Sequence, residues 1–167
     1  MQKTNLKLLG VDPGLHNLGW AVIELTDDDQ SISVAHGLIT TNPKVDTNQR
    51  LYEIQTQLSE VVSSFELNGI GLETPFIHKG MKANLNFIKA YGVIATTCKG
   101  FGVEIYEIAP AKVKKVMGVG GRANKSAVSI MVNLLISGIP SAISHHEFDA
   151  YAIAYCCGLV IGNKKFL

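Results

Sequence analysis

Residues 6 to 24 read LKLLGVDPGLHNLGWAVIE, and this stretch decides the fold class. Two apolar runs flank the tripeptide Asp12-Pro13-Gly14, whose proline and glycine supply turn chemistry, so the pattern predicts a β-hairpin. Residues 32–40 alternate between apolar and polar side chains, and we expect them to form a third strand at the sheet edge. The chain is therefore predicted to open with a three-stranded meander.

After residue 47 the hydrophobic period lengthens to three and four residues, which predicts amphipathic helices. Short apolar runs between these helices suit buried parallel strands. Thr47 or Asn48 is expected to cap the first helix and Ser144 the last. The predicted strands are residues 6–11, 18–24, 32–40, 70–73 and 103–108, and the predicted helices are residues 47–68, 81–99, 111–117, 124–136 and 145–160. The fold class is therefore α/β, with a five-stranded mixed sheet flanked by helices.

The composition is that of one globular domain spanning residues 1–167. Hydrophobic residues make up 47% of the chain and charged residues 17%, which excludes an intrinsically disordered protein. No apolar run reaches the roughly 18 residues that a membrane span requires, so we expect a cytoplasmic protein, in the host cytoplasm if the source is viral. The three cysteines show no metal-binding spacing, which favours a reducing compartment.

The charge of the chain is unevenly distributed, although its net value is only +1. Residues 77–125 contain nine Lys or Arg residues and two acids, a net charge of +7. The rest of the chain has six basic and twelve acidic residues. Such asymmetry is typical of a surface that binds a polyanion, although by itself it is weak support for one.

Four residues at the ends of predicted elements form a candidate metal site. Asp12 ends the first strand and Glu73 the fourth, and ligand sites of open α/β sheets lie beyond the carboxyl ends of strands. His146 and Asp149 share one face of the last helix, with His145 one step round. Carboxylates brought together in this way repel one another unless a divalent cation such as Mg²⁺ or Mn²⁺ lies between them. Taken singly, each residue has an ordinary alternative role, as a turn former, a solvated strand end or a polar residue at a helix start.

A candidate nucleic-acid surface adjoins these acids. Phe76 lies three residues after Glu73, and Lys79 follows three residues later. An aromatic side chain near basic groups can stack on or wedge between bases. Burial in the core is the ordinary alternative for this phenylalanine. Basic residues without an intervening acid follow at Lys112, Lys114, Lys115, Arg122 and Lys125. They suit phosphate binding, and a solvated helix face is the alternative. Gly14 is expected to adopt a positive φ angle and to allow close approach of a ligand to the turn, and an ordinary type II turn is the alternative.

Four motifs in order resemble the RuvC-type Holliday-junction resolvases, and their spacing agrees over nearly the whole chain. The motifs are Val11-Asp12-Pro13-Gly14 with Gly19-Trp20-Ala21-Val22-Ile23, Leu72-Glu73-Thr74-Pro75-Phe76, the segment from Tyr106 to Lys125, and Phe148-Asp149-Ala150-Tyr151-Ala152-Ile153-Ala154. The resemblance implies a ribonuclease-H-like fold. It also implies a homodimer that nicks opposed strands of a four-way DNA junction symmetrically.

The resemblance assigns roles to the candidate residues. It implies that Asp12, Glu73 and Asp149 are metal-binding catalytic carboxylates, with His146 at a fourth position where many members have Asp. Two Mg²⁺ ions per site are implied, with Mn²⁺ as a substitute, and they would activate a water molecule for in-line attack on a phosphodiester. Phe76 resembles the residue that probes the junction. The basic residues implied to bind DNA are Lys79, Lys114, Lys115, Arg122 and Lys125, of which Lys125 also offsets charge in the transition state. Residues 80–99 resemble the dimer helix.

Two other classes of function compete with this interpretation. One is the ATP-binding sugar-kinase and chaperone superfamily, where a similar fold binds phosphate at a strand-turn-strand segment. Those proteins need two such domains, and 167 residues supply one. The other is a non-catalytic module that binds branched DNA or a partner protein. The four acidic-site positions argue against it, and a metal titration would distinguish the two.

Overall fold

The computed structural model describes residues 5–28, 30–75, 85–118 and 125–164. The strands are β1 (Leu6–Asp12), β2 (Asn17–Leu25), β3 (Ser31–Thr40), β4 (Gly69–Glu73), β5 (Ile105–Ile108) and β6 (Ile136–Ser137). The helices are α1 (Thr47–Ser63), α2 (Leu85–Gly100), α3 (Pro110–Val116), α4 (Lys125–Leu135) and α5 (His145–Lys164). Residues 81–84 of the predicted second helix lie outside the described residues.

One mixed sheet of six strands organises the described residues, in the order β5-β4-β1-β2-β3-β6. Strands β1, β2 and β3 form the predicted antiparallel meander, and β4 and β5 run parallel to β1. The ribonuclease-H-like arrangement predicted from the sequence is therefore confirmed. The prediction of five strands was wrong, because β6 pairs with the start of β3, which is consequently not a free edge along its whole length.

Helices cover both faces of the sheet, and a separate apolar core lies on each face. Helices α1 and α2 pack on one face, where Ile54 and Leu58 of α1 and Ile94 of α2 are fully buried. Helix α5 lies on the other face, between the sheet and helices α3 and α4. It is apolar almost all round because both of its sides are covered. No helix in the described part of the chain is long and apolar enough to cross a membrane.

Three glycines of the sheet allow α5 to lie directly on the strands. A Cβ atom added to Gly10 of β1 would come 2.0 Å from the Ala150 carbonyl oxygen, and one on Gly19 of β2 would come 2.1 Å from the His146 carbonyl oxygen. A Cβ on Gly71 of β4 would lie 3.0 Å from the side chains of Ile153 and Cys157. The absence of side chains at these points fixes where the first turns of α5 meet the ends of the strands.

Three local predictions differ from the structure. Helix α1 is capped by Asp46, whose carboxylate accepts hydrogen bonds from the Asn48 and Gln49 amides, and not by Thr47 or Asn48. The same helix ends at Ser63, before the predicted stop at Asn68. Gly14 is not among the glycines with positive φ. It is required for space, since an added Cβ would come 2.1 Å from the Asn17 carbonyl oxygen across the turn.

Candidate active site

Asp12 and Glu73 lie side by side where the parallel strands β1 and β4 end, and this end of the sheet is called the carboxyl edge below. Strands β1 and β4 are parallel neighbours, and Val11 pairs with Leu72. Asp12 and Glu73 are the next residues of the two strands, so their side chains lie at the same level. Both are partly buried. The parallel register therefore brings together the two acids that were predicted to converge.

Helix α5 adds His146 to this edge. The His146 ring nitrogen Nδ1 lies 2.7 Å from the Asp12 carboxylate oxygen Oδ2. An ionised carboxylate only accepts hydrogen bonds, so Nδ1–H is the donor in this contact. His145 is exposed to solvent. Of the two adjacent histidines, the structure thus brings His146 to the acids.

The electrostatics of Glu73 show that Asp149 belongs to the same group. Burial, together with the negative charges of Asp12 and Asp149, raises the pKa of Glu73 to about 7, while the positive charge of Lys114 acts in the opposite direction. Like charges at short range disfavour ionisation, and a cation between them removes that cost. The carboxylates of Asp12 on β1 and Asp149 on α5 therefore both act on Glu73 of β4.

Glu73→Gln is expected to stabilise the metal-free protein above pH 7 and to have little effect near pH 5. The folded-state pKa of Glu73 exceeds its ordinary value of 4.5, so the stability that its protonated form contributes is complete below pH 4.5 and is lost as pH rises through about 7. The gain at pH 8 is at most about 3 kcal/mol. Urea unfolding in EDTA between pH 4.5 and 8.5 measures it. The matched control is Glu60→Gln at an exposed position of α1, and a parallel pH dependence in all three proteins would contradict the prediction.

The donor set suits a hard divalent cation, although the carboxylates are not arranged around one. Within the described ranges, no group of three His, Cys, Asp or Glu side chains is positioned to hold a metal ion. The charges of Asp12 and Asp149 disfavour ionisation of Glu73, and His146 Nδ1 contacts the Asp12 carboxylate. Oxygen ligands with one imidazole are the chemistry that Mg²⁺ and Mn²⁺ accept. The residues therefore fit the predicted metal.

A buried arginine that the sequence analysis missed supports the turn after Asp12. Arg50 of α1 is only 8% exposed. Its Nε donates to the Thr41 hydroxyl at 2.9 Å, and Nη2 donates to the Leu15 carbonyl oxygen at 3.3 Å. The Thr41 hydroxyl donates to the same carbonyl at 2.6 Å. The available signal was a charged residue on the apolar stripe of α1, four positions before Ile54.

A second missed group lies at the start of α5. Glu147 is buried, and its carboxylate accepts hydrogen bonds from the Ser144 amide at 2.7 Å and from His36 Nδ1 of β3 at 2.6 Å. Burial acts to raise the pKa of Glu147, but the hydrogen bonds from Ser144 and His36 outweigh burial and lower it. The Ser-x-x-Glu spacing of a capping box was visible in the sequence, and Ser144 caps α5 as predicted. The pairing with His36 left no sequence signal.

The predicted DNA-binding residues are only partly described. Lys114 and Lys115 are exposed on α3, and Lys114 is close enough to Glu73 to lower its pKa. Lys125 is the first residue of α4. Three predicted residues lie outside the described residues, namely Phe76, Lys79 and Arg122. Helix α3 therefore presents basic side chains beside the acids.

Comparison with known proteins identifies one family. A family model described as crossover junction endodeoxyribonuclease RuvC matches residues 8–157. A relative of that description from Wolbachia pipientis wMel is 32% identical over 158 residues, which cover 95% of this chain and 97% of the relative. Another from Rickettsia akari (strain Hartford) is 34% identical over 152 residues, which cover 90% and 95%. The similarity thus extends over nearly the full length of this chain and of each relative.

Solved structures share the fold. T. thermophilus RuvC in complex with a Holliday junction substrate matches with a TM-score of 0.82 at 21% identity, over 95% of this chain and 96% of that one. The yeast mitochondrial Holliday junction resolvase matches with a TM-score of 0.65 at 13% identity, over 97% and 85%. The fold, a mixed sheet with helices on its two faces, is therefore shared with both proteins.

Proposed function

Because this chain belongs to the RuvC family of crossover junction endodeoxyribonucleases, we propose that Asp12, Glu73, His146 and Asp149 hold the metal ions with which it resolves four-way DNA junctions. The nucleases of this family are metal-dependent hydrolases that act on DNA. The observation that carries the site assignment is the effect of the Asp12 and Asp149 charges on Glu73, together with the contact between His146 and Asp12. We further propose that residues 1–167 act as one resolvase domain in the cytoplasm, or in the host cytoplasm if the source is viral.

The cofactor in this proposal is Mg²⁺, for which Mn²⁺ substitutes, with two ions per site. Two bound ions would activate the attacking water and stabilise the leaving oxygen of the scissile phosphodiester. The side chains of Asp12 and Glu73 supply fixed negative charge from the rigid sheet, and His146 and Asp149 approach from the first turns of α5. The positive charge of Lys114 favours ionisation of the Glu73 carboxyl group. Lys125, at the start of α4, is assigned to offset negative charge in the transition state.

The exposed lysines of α3 and the exposed apolar residues of α2 account for the proposed choice of substrate. Exposed lysines on α3 lie near the acids and suit the phosphates of one DNA arm. On α2, Leu85 and Ile88 remain exposed, whereas Ile94 is buried in the core. A second copy of the chain on this helix would give a homodimer whose two sites face opposed strands and make symmetric nicks. Phe76, Lys79 and Arg122 complete the DNA surface in this proposal.

Lys115→Ala is expected to weaken junction binding by removing one phosphate contact. Because the variant would release one counterion fewer on binding, the slope of log K against log salt should become less negative by about 1. Fluorescence anisotropy with a labelled junction between about 50 and 200 mM salt measures both quantities. Lys99→Ala is the matched control. Lys99 is exposed at the end of α2 and pairs with Glu104, which precedes β5 at the end of the sheet away from the acids. Equal salt slopes for wild type and Lys115→Ala would overturn the assignment of Lys115.

The experiment that tests the proposed function compares a labelled synthetic four-way junction with a linear duplex of matched sequence. Each is incubated with the protein in Mg²⁺, in Mn²⁺ and in EDTA, and the cuts are mapped. Paired symmetric nicks that occur only in the junction and require metal are the expected result. Junction binding without cutting in either metal would favour the non-catalytic module. A protein that neither binds nor cuts junctions but binds ATP would favour the nucleotide-binding alternative.

A further inference from the structure

We infer that Glu147 is a positioning residue, whose carboxylate connects the first turn of α5 to β3 and thereby holds His146 against Asp12. Its consequence for DNA cleavage rests on the proposed function, whereas its consequence for metal binding does not need cleavage. Glu147, His36 and Ser144 are called the first-turn network below. None of these three residues is among the proposed metal ligands.

The first-turn network uses both oxygens of one buried carboxylate. Oε2 accepts from the Ser144 amide at 2.7 Å, and the Glu147 amide donates to the Ser144 hydroxyl at 3.3 Å. These two bonds form a capping box, which needs only one carboxylate oxygen. The second oxygen, Oε1, accepts from His36 Nδ1 at 2.6 Å. A helix cap is thus extended into a connection between α5 and a strand that lies far away in sequence.

The other end of the connection is itself held in place. His36 pairs with Ala21 of β2 in the sheet register. Its ring packs against that of Tyr151, with centroids 5.9 Å apart, and the Tyr151 hydroxyl contacts the Ser33 hydroxyl at 2.5 Å. Tyr151 follows Glu147 by one helical turn, so two successive turns of α5 are bound to β3. The carboxylate therefore bonds to a side chain whose position the sheet and the helix both restrict.

His146 lies between this connection and the sheet. Its carbonyl group packs directly against Gly19 of β2. A Cβ atom added to Gly19 would come 2.1 Å from the His146 carbonyl oxygen. The His146 ring donates to Asp12 at 2.7 Å. Strand β2 therefore fixes the backbone of His146. Strand β3 fixes the following residue, Glu147, through His36. Loss of the Glu147 carboxylate would free the Ser144 amide and let the first turn fray, which displaces the residue that bonds to Asp12.

The test uses Glu147→Ala and Glu147→Gln in the full chain. The glutamine can still accept from the Ser144 amide and can donate to His36 if that ring changes tautomer, so it should rescue most of the function. The control is Leu58→Ala in the core on the other face of the sheet, which lowers stability without touching α5. All measurements are made at a temperature where unfolding curves show each protein to be folded.

Two readouts do not depend on cleavage. In the metal-free protein, long-range ¹H–¹⁵N spectra report the tautomer of His146, and calorimetric titration with Mn²⁺ alone reports affinity. We expect Glu147→Ala to change the His146 signals and to weaken Mn²⁺ binding by about 10- to 100-fold, the usual cost of losing a residue that orients a metal ligand. Glu147→Gln and Leu58→Ala should stay close to wild type. Unchanged spectra and affinity in Glu147→Ala, or the same change in Leu58→Ala, would overturn the inference.

Junction kinetics add a third readout. A positioning role predicts that Glu147→Ala lowers kcat at limiting Mn²⁺, leaves the KM for the junction within about twofold, and recovers when Mn²⁺ is raised. A fall in kcat that saturating Mn²⁺ does not restore would contradict a role through metal binding. If the wild-type protein does not cut junctions, the proposed function fails, while the spectra and the Mn²⁺ titration still decide the role of Glu147.

Discussion

Asp149→Asn is expected to lower the rate of junction cleavage by about 10³-fold or more while junction binding is retained, a loss of about 4 kcal/mol of transition-state stabilisation. The substitution preserves the size of the side chain and removes a negative charge that acts on Glu73. A neutral amide is a weaker ligand than a carboxylate for Mg²⁺ or Mn²⁺, so the variant should also bind Mn²⁺ less tightly. Gel assays of cleavage and anisotropy of a labelled junction measure the two effects separately.

The same substitution should stabilise the metal-free protein at pH 8. One of the two charges that raise the pKa of Glu73 is removed, so ionised Glu73 costs less in the folded state. A variant that is more stable without metal and yet inactive cannot owe its inactivity to unfolding. Asp27→Asn is the matched control, because Asp27 is exposed in the turn between β2 and β3 at the opposite end of the strands. Cleavage within about tenfold of wild type, or equal loss of binding and cleavage in folded Asp149→Asn, would refute the assigned role.

The sequence was sufficient to predict the edge where the acids meet, because that prediction needs only strand order and direction. Asp12 and Glu73 end apolar runs, and parallel neighbours must place such residues at one edge. His146 and Asp149 were placed correctly on the first turns of the last helix, since the Ser144 cap marks where it starts. These inferences depend on local patterns and on a connection rule that holds for nearly all such folds.

Other features depend on contacts between residues far apart in the chain, and local patterns do not contain them. His36 meets Glu147 only because β3 and α5 lie on each other, and neither residue has a distinctive neighbour. Strand β6 has only two residues, and the first of them, Ile136, continues the apolar pattern of α4 and was therefore predicted as the end of that helix. The cap at Asp46 was missed because aspartate, threonine and asparagine are all good caps and stand within three positions. Only the tertiary structure distinguishes these alternatives.

Gly10→Ala is expected to lower the free energy of unfolding by about 3 kcal/mol or more, because the added methyl group meets backbone on α5. The new Cβ would lie 2.0 Å from the Ala150 carbonyl oxygen and 2.5 Å from the Ala154 amide nitrogen. Rotation of a side chain cannot relieve either overlap, so the whole helix must move away from β1. Urea unfolding measures the loss, and a change of less than about 1 kcal/mol would contradict the close approach of α5.

Two other glycines make this a graded test that survives if Gly10→Ala does not fold. Gly92 is on α2 with no atom within 4 Å of an added Cβ, so Gly92→Ala should stabilise the protein by about 0.5 to 1 kcal/mol through helix propensity. Gly71→Ala is intermediate, since its Cβ would lie 3.0 Å from the Ile153 carbonyl oxygen and from the side chains of Ile153 and Cys157, which is a much smaller overlap than the one at Gly10. The expected order of stability is therefore Gly92→Ala, Gly71→Ala and Gly10→Ala. A uniform effect at the three positions would mean that glycine is needed for backbone freedom and not for room beneath α5, and the position of His146 and Asp149 over the sheet edge would then need another cause.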